Sequence, residues 1–146
     1  MSLYRKSLTS ILAVSLLTLA ACNMPSNNTK ATATLTASSE VPPANSAGAG
    51  EANVALELKN DKLIWTITYS GLSGTVTGAH FHGPAAVGSK ADVAVPIKGD
   101  MLSPIKGEAT ITDEQKTQLL EGKWYVNLHT AANPDGEIRG QVIVNR

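Results

Sequence analysis

Three histidines are the residues of this 146-residue chain whose type and spacing could do chemistry. All three fall in two short segments. His80 and His82 alternate in AHFHGPA (79–85), so on an extended strand both project from one face, roughly 6–7 Å apart along the backbone. Phe81 between them points the other way and is the natural core residue. His129 closes the run WYVNLHT (124–130), where Trp124, Val126 and Leu128 form an apolar face and Tyr125, Asn127 and His129 a polar one. After the loop 131–136, the return strand sets Glu137, Arg139 and Gln141 on one side, with Ile138 and Val142 on the other. The last hairpin is therefore predicted to carry Asn127, His129, Glu137 and Arg139 on a shared polar face.

Imidazole nitrogen suits copper and zinc, and a three-histidine set with an open position can hold either. Asn127 or Glu137 could orient a ligand's second nitrogen, as the outer partners of metal ligands commonly do. Arg139 could draw an anion to the open position. Two plainer readings stand beside this one. A polar strand face is usually the solvated side of a sheet, and the histidines could serve as hydrogen-bonding residues tying the Gly83–Pro84 loop to the last hairpin. No Ser-His-Asp order, catalytic carboxylate pair or phosphate-loop spacing marks the chain as an enzyme.

The elements that must position these residues are strands. Apolar residues recur with period two, the mark of half-buried strands. Segments Thr32–Ala37, Glu51–Leu58, Lys62–Ser70, Thr75–His82, Asp92–Ile97, Gly107–Ile111, Lys123–Thr130 and Glu137–Asn145 all read this way. Turn residues 59–62 join the second and third into a hairpin. Thr112-Asp113-Glu114-Gln115 reads as a capping box opening one short helix, with Leu119 and Leu120 packing inward and Gly122 ending it. Several short, evenly spaced strands imply a sandwich or a partly closed barrel.

The N-terminus supplies an address. Arg5 and Lys6 precede an apolar run, Ile11–Leu19, which is too short to span a bilayer and leads to small residues before Cys22. Leu19-Ala20-Ala21-Cys22 resembles the bacterial lipobox. That resemblance implies that residues 1–21 are a lipoprotein signal peptide and that Cys22 is lipidated as the first mature residue. An ordinary cleavage site beside an incidental thiol is the plainer alternative. Several acyl chains give lasting attachment, so the expected location is the cell envelope, at the membrane. Asn23 at the next position favours the outer membrane in a Gram-negative host. Segment 22–30 reads as the lipidated cysteine and a polar tether, and 31–146 as one domain. The full chain has 12 basic and 12 acidic residues, and loss of Arg5 and Lys6 leaves it mildly acidic. Nothing in that balance suggests nucleic acid as a partner. With its one cysteine lipidated, the domain has none left for a disulfide.

A family resemblance covers the domain. EVPP (40–43), AHFHGPA (79–85), YVNLHT (125–130) and NPDGEIRGQV (133–142) together resemble the CHRD domain, first named from chordin and widespread in bacterial envelope proteins. The likeness runs from about Ala33 to Val144, with the motifs in order. It implies an all-β, antiparallel Greek-key sandwich of immunoglobulin-like type, and it says little about activity. The His-x-His pair with a distant third histidine is also similar to the copper site of copper–zinc superoxide dismutases. Those sites use four histidines, one of them shared with zinc, and this chain has three in all, with no zinc loop or structural disulfide. Dismutase activity is therefore not expected. The leading expectation is a membrane-anchored, non-enzymatic module binding a protein, glycan or small ligand. The alternative is a periplasmic or surface copper- or zinc-binding protein using His80, His82 and His129.

Overall fold

The computed structural model describes residues 28–145. The expected signal peptide, Cys22 and most of the expected tether lie outside the described residues. Strand β1 (Asn28–Thr36) takes in the last three residues of the segment read as tether. It is followed by β2 (Ala49–Glu57), β3 (Lys62–Ser70), β4 (Val76–His82), β5 (Val93–Ile97) and β6 (Ile105–Thr110). Helix α1 (Asp113–Leu120) precedes β7 (Tyr125–Thr130), β8 (Ile138–Gln141) and β9 (Ile143–Val144). Every paired strand is antiparallel.

The strand order β5-β4-β7-β8-β1-β2-β3-β6 makes two four-stranded halves joined through β8 and β1. The join is thin: Thr36 opposite Arg139 is its one residue pair. The final segment was expected as a single strand. It divides at Val142, whose amide bonds the Trp124 carbonyl, after which β9 runs beside β1. The C-terminal segment thus pairs with both halves, β8 with β7 and β9 with β1, around a common core. Aromatic contacts cross that core: Trp65 of β3 meets Phe81 of β4 edge-on at 5.4 Å, and Phe81 meets Trp124 at 6.2 Å. This is the nearly closed all-β sandwich with one short helix that the strand pattern implies.

Local signals hold at both ends of the molecule. The β2–β3 hairpin turns through Asp61 at φ 53, with Glu57 opposite Lys62. Thr112 caps α1 as read: its hydroxyl accepts from the Gln115 amide at 3.1 Å, and Gln115 accepts from the Thr112 amide at 3.0 Å. Leu119 is buried, but Leu120 is largely exposed, because so short a helix can turn only one stripe inward.

Candidate functional site: three converging imidazoles

The core decides where the histidines point. Ala79 and Phe81 of β4 and Val126 and Leu128 of β7 are fully buried on the inner face, so His80, His82, Asn127 and His129 occupy the other face. Residue alternation alone requires this. The register then places Asn127 opposite His80, His129 opposite Gly78, and Tyr125 opposite His82. Gly78 lies beside both rings, where a Cβ would stand 3.6 Å from His80 and 3.9 Å from His129, in ordinary van der Waals contact.

The three imidazoles converge. Each offers a ring nitrogen, and these atoms lie within 4.8 Å of one another. His80 Nδ1 is 3.0 Å from His129 Nε2. The other nitrogen of His129, Nδ1, donates to the Pro134 carbonyl at 2.9 Å. His82 Nδ1 donates to the Ala91 carbonyl at 3.0 Å, and its Nε2 faces Asn127 Oδ1 at 3.0 Å. His82 also stacks on Tyr125, with ring centroids 4.8 Å apart and planes nearly parallel.

The motifs around these histidines belong to a recognised domain: the CHRD domain family model matches residues 31–142. The chain belongs to the CHRD-domain family. Neither the curated proteins nor the solved structures compared with it include a match. Family membership accords with the sandwich fold, and the arrangement of the CHRD domain's polar face must be read from this molecule itself.

That face is not the solvated side of a sheet. Asn127, Glu137 and Arg139 are all buried. The loop between β4 and β5 folds across Asn127 and Arg139, held by Arg139 Nη2 donating to the Ser89 carbonyl and by the Ala91 amide donating to the Tyr125 hydroxyl. Burial pushes the His80 and His82 imidazoles below the ordinary histidine pKa. Neighbouring positive charge adds to this, from the other two histidines at His80 and from His129 and Arg139 at His82. Hydrogen bonding at Ala91 and Asn127 only partly opposes it at His82. Both rings are therefore held in the neutral form that a metal ion needs.

Two expected members of the site do other work. Glu137 does not reach the histidines. Its carboxylate accepts from Ser46 Oγ at 2.6 Å, Ser73 N at 2.7 Å, Ser73 Oγ at 2.6 Å and Thr130 Oγ1 at 2.5 Å. Burial alone would raise its pKa, but these hydrogen bonds bring it down to about 2. Glu137 stands just before β8, where it reaches past the end of β7 towards the loops carrying Ser46 and Ser73. Arg139 is likewise not aimed at an open position. Its guanidinium lies 3.6 Å from the Tyr125 ring centroid, beneath the covering loop.

Glu40, quoted above only as part of the EVPP motif, is the participant sequence reasoning missed. It is buried, and its Oε1 has no hydrogen-bond partner among the described residues. Burial raises its pKa to about 7, against the partial relief of Arg139, Lys90, the Val41 backbone and the Asn127 side chain. Gly136 (φ 130) is where this group meets the site: a Cβ there would lie 2.6 Å from Glu40 Oε1 and 2.8 Å from Asn127 Nδ2. A buried acid beside a polar face is visible only once the chain 90 residues downstream has folded against it.

Proposed function

We propose that this protein is a lipid-anchored envelope protein whose CHRD domain is a non-enzymatic binding module. Its ligand is a copper or zinc ion held by His80, His82 and His129. The observation that carries the reading is the convergence of three half-buried imidazole donors within 4.8 Å of one another. Two of those rings already give one nitrogen to a backbone carbonyl, Ala91 for His82 and Pro134 for His129. Ligating histidines characteristically do this, since it fixes the tautomer and turns the second nitrogen's lone pair to the metal. Support for the anchor is the lipobox-like segment ending at Cys22. It gives the domain a membrane as neighbour, the outer membrane in a Gram-negative host.

The test is titration of the intact, detergent-solubilised protein with zinc and with copper(II) after chelator treatment. Stoichiometric binding that disappears in both His80→Ala and His129→Ala supports the metal site. No binding at micromolar concentration overturns it. The module would then bind a protein, glycan or other small ligand, with the histidines serving only to tie the β4–β5 loop to β7.

A further inference from the structure

The site holds a fourth donor that the three-histidine reading leaves out. Asn127 lies opposite His80 on the neighbouring strand, two residues before His129 on its own strand, and 3.0 Å from His82 through Oδ1. It is the residue common to all three histidines.

The contact with His82 is chemically unusual. A carbonyl can only accept, so the Ala91 oxygen requires the proton of a neutral His82 to sit on Nδ1. Nε2 then presents a lone pair, and it faces another lone-pair carrier, Asn127 Oδ1, at 3.0 Å. The opposite orientation of the amide would donate its NH₂ to His82 and set its oxygen beside the Glu40 carboxyl, so a bound ion would select the orientation with Oδ1 towards the histidines. With Oδ1 towards His82, either a proton or a metal ion between the two acceptors satisfies both. A metal ion is the charge that also answers the donors of His80 and His129.

The distances suit one ion. With metal–ligand bonds of about 2.0–2.2 Å, neighbouring donors of a tetrahedral site stand roughly 3.3 Å apart. His80 Nδ1 to His129 Nε2 and His82 Nε2 to Asn127 Oδ1, both 3.0 Å, form two such edges. The widest spacing among the histidine donors, up to 4.8 Å, must shrink by roughly 1.5 Å, within the reach of small side-chain rotations. His82, His129 and Asn127 would each then have an outer partner: Ala91 and Pro134 carbonyls for the rings, and the Glu40 carboxyl for the amide.

We infer that Asn127 Oδ1 is the fourth ligand of a closed three-histidine, one-asparagine site for a divalent ion, with Glu40 as the residue that orients its amide. The inference rests on the metal-binding reading above. A fourth protein ligand leaves no open position for substrate, which marks a site that holds its ion and does not use it for catalysis. Three imidazoles and an amide oxygen are donors that zinc(II) and copper(II) both accept, the tetrahedral spacing favours zinc(II), and the site lacks the soft sulfur donors that select copper(I).

Cobalt(II) reports the geometry, because tetrahedral cobalt(II) absorbs visible light far more strongly than five- or six-coordinate cobalt(II). Intact wild-type protein should bind one cobalt(II) with the strong tetrahedral spectrum. Asn127→Ala should bind about 10- to 100-fold more weakly, with that spectrum weakened as water enters. Equal affinity and an unchanged spectrum in Asn127→Ala would overturn the fourth ligand and leave the metal site standing. No cobalt(II) or zinc(II) binding by the wild type would overturn both. If Asn127→Ala loses cooperative unfolding, a zinc-loaded crystal structure of the wild type decides the matter. Asn127 Oδ1 within about 2.2 Å of the ion supports the assignment, and a water in the fourth position overturns it.

Discussion

His80 Nδ1 lies 3.0 Å from His129 Nε2, although 49 residues separate the two in the chain. His129 Nδ1 is committed to the Pro134 carbonyl, so its Nε2 is an acceptor and His80 supplies the proton between them when no ion is bound. A metal ion would take that proton's place. The contact is thus both a hydrogen bond that closes β4 on β7 and one side of a coordination site.

Metal affinity should depend on pH through these rings. His80 and His82 are held below the ordinary histidine pKa, so they stay neutral at pH 7 and take up protons only below about 6.5. Zinc binding should therefore be constant from pH 7 to 8 and weaken progressively below about pH 6, measured by titration calorimetry at each pH. An affinity that rises on acidification would contradict histidine ligation.

The same shifts make a stability prediction for the metal-free protein. Above pH 6.5 the rings are neutral in folded and unfolded chains alike. As pH falls, the unfolded chain takes the protons first, so stability present at pH 7 is lost towards pH 5. In chelator, His80→Gln should show a shallower fall in melting temperature over that range than wild type, followed by circular dichroism.

Glu137 should be a keystone of the fold. Its pKa, held near 2, gives stability that is fully present above about pH 4.5 and lost as pH falls through 2. Glu137→Ala leaves Ser46, Ser73 and Thr130 without their shared acceptor and should cost about 3 kcal/mol at pH 7, read from denaturant unfolding. A loss below about 0.5 kcal/mol would show that the cluster adds nothing net.

Glu40 should act with the opposite sign. Its carboxyl keeps its proton up to about pH 7, whereas the unfolded chain releases it near 4.5. The folded state is therefore favoured below pH 4.5 and penalised as pH rises through 7. Without metal, Glu40→Gln should be more stable than wild type at pH 8, by at most about 3 kcal/mol, with the gain vanishing near pH 4. An equal effect at both pH values would contradict burial of the charge.

The anchor is tested apart from the domain. Cys22→Ala should release the protein from the membrane fraction, leaving metal affinity in solution unchanged. Membrane association that survives the substitution would count against lipidation.

Alternation in AHFHGPA and WYVNLHT was enough to put Phe81, Val126 and Leu128 inside and to turn His80, His82, Asn127 and His129 to one face. The capping box at Thr112 and the turn at Asp61 were legible for a similar reason, since each is satisfied by residues a few positions away. Alternation has no information about what covers a strand's outer face. The β4–β5 loop buries Tyr125, Asn127 and Arg139, and the loops bearing Ser46 and Ser73 take up Glu137, which parity had grouped with the histidines. Register depends on pairing across 49 residues, and the Ala91 and Pro134 carbonyls that aim the rings are backbone groups every residue carries. Which residues face together was therefore local and readable. Which of them meet was decided by the register of β4 on β7, and beside which buried acid by the packing of the Glu40 segment against that half.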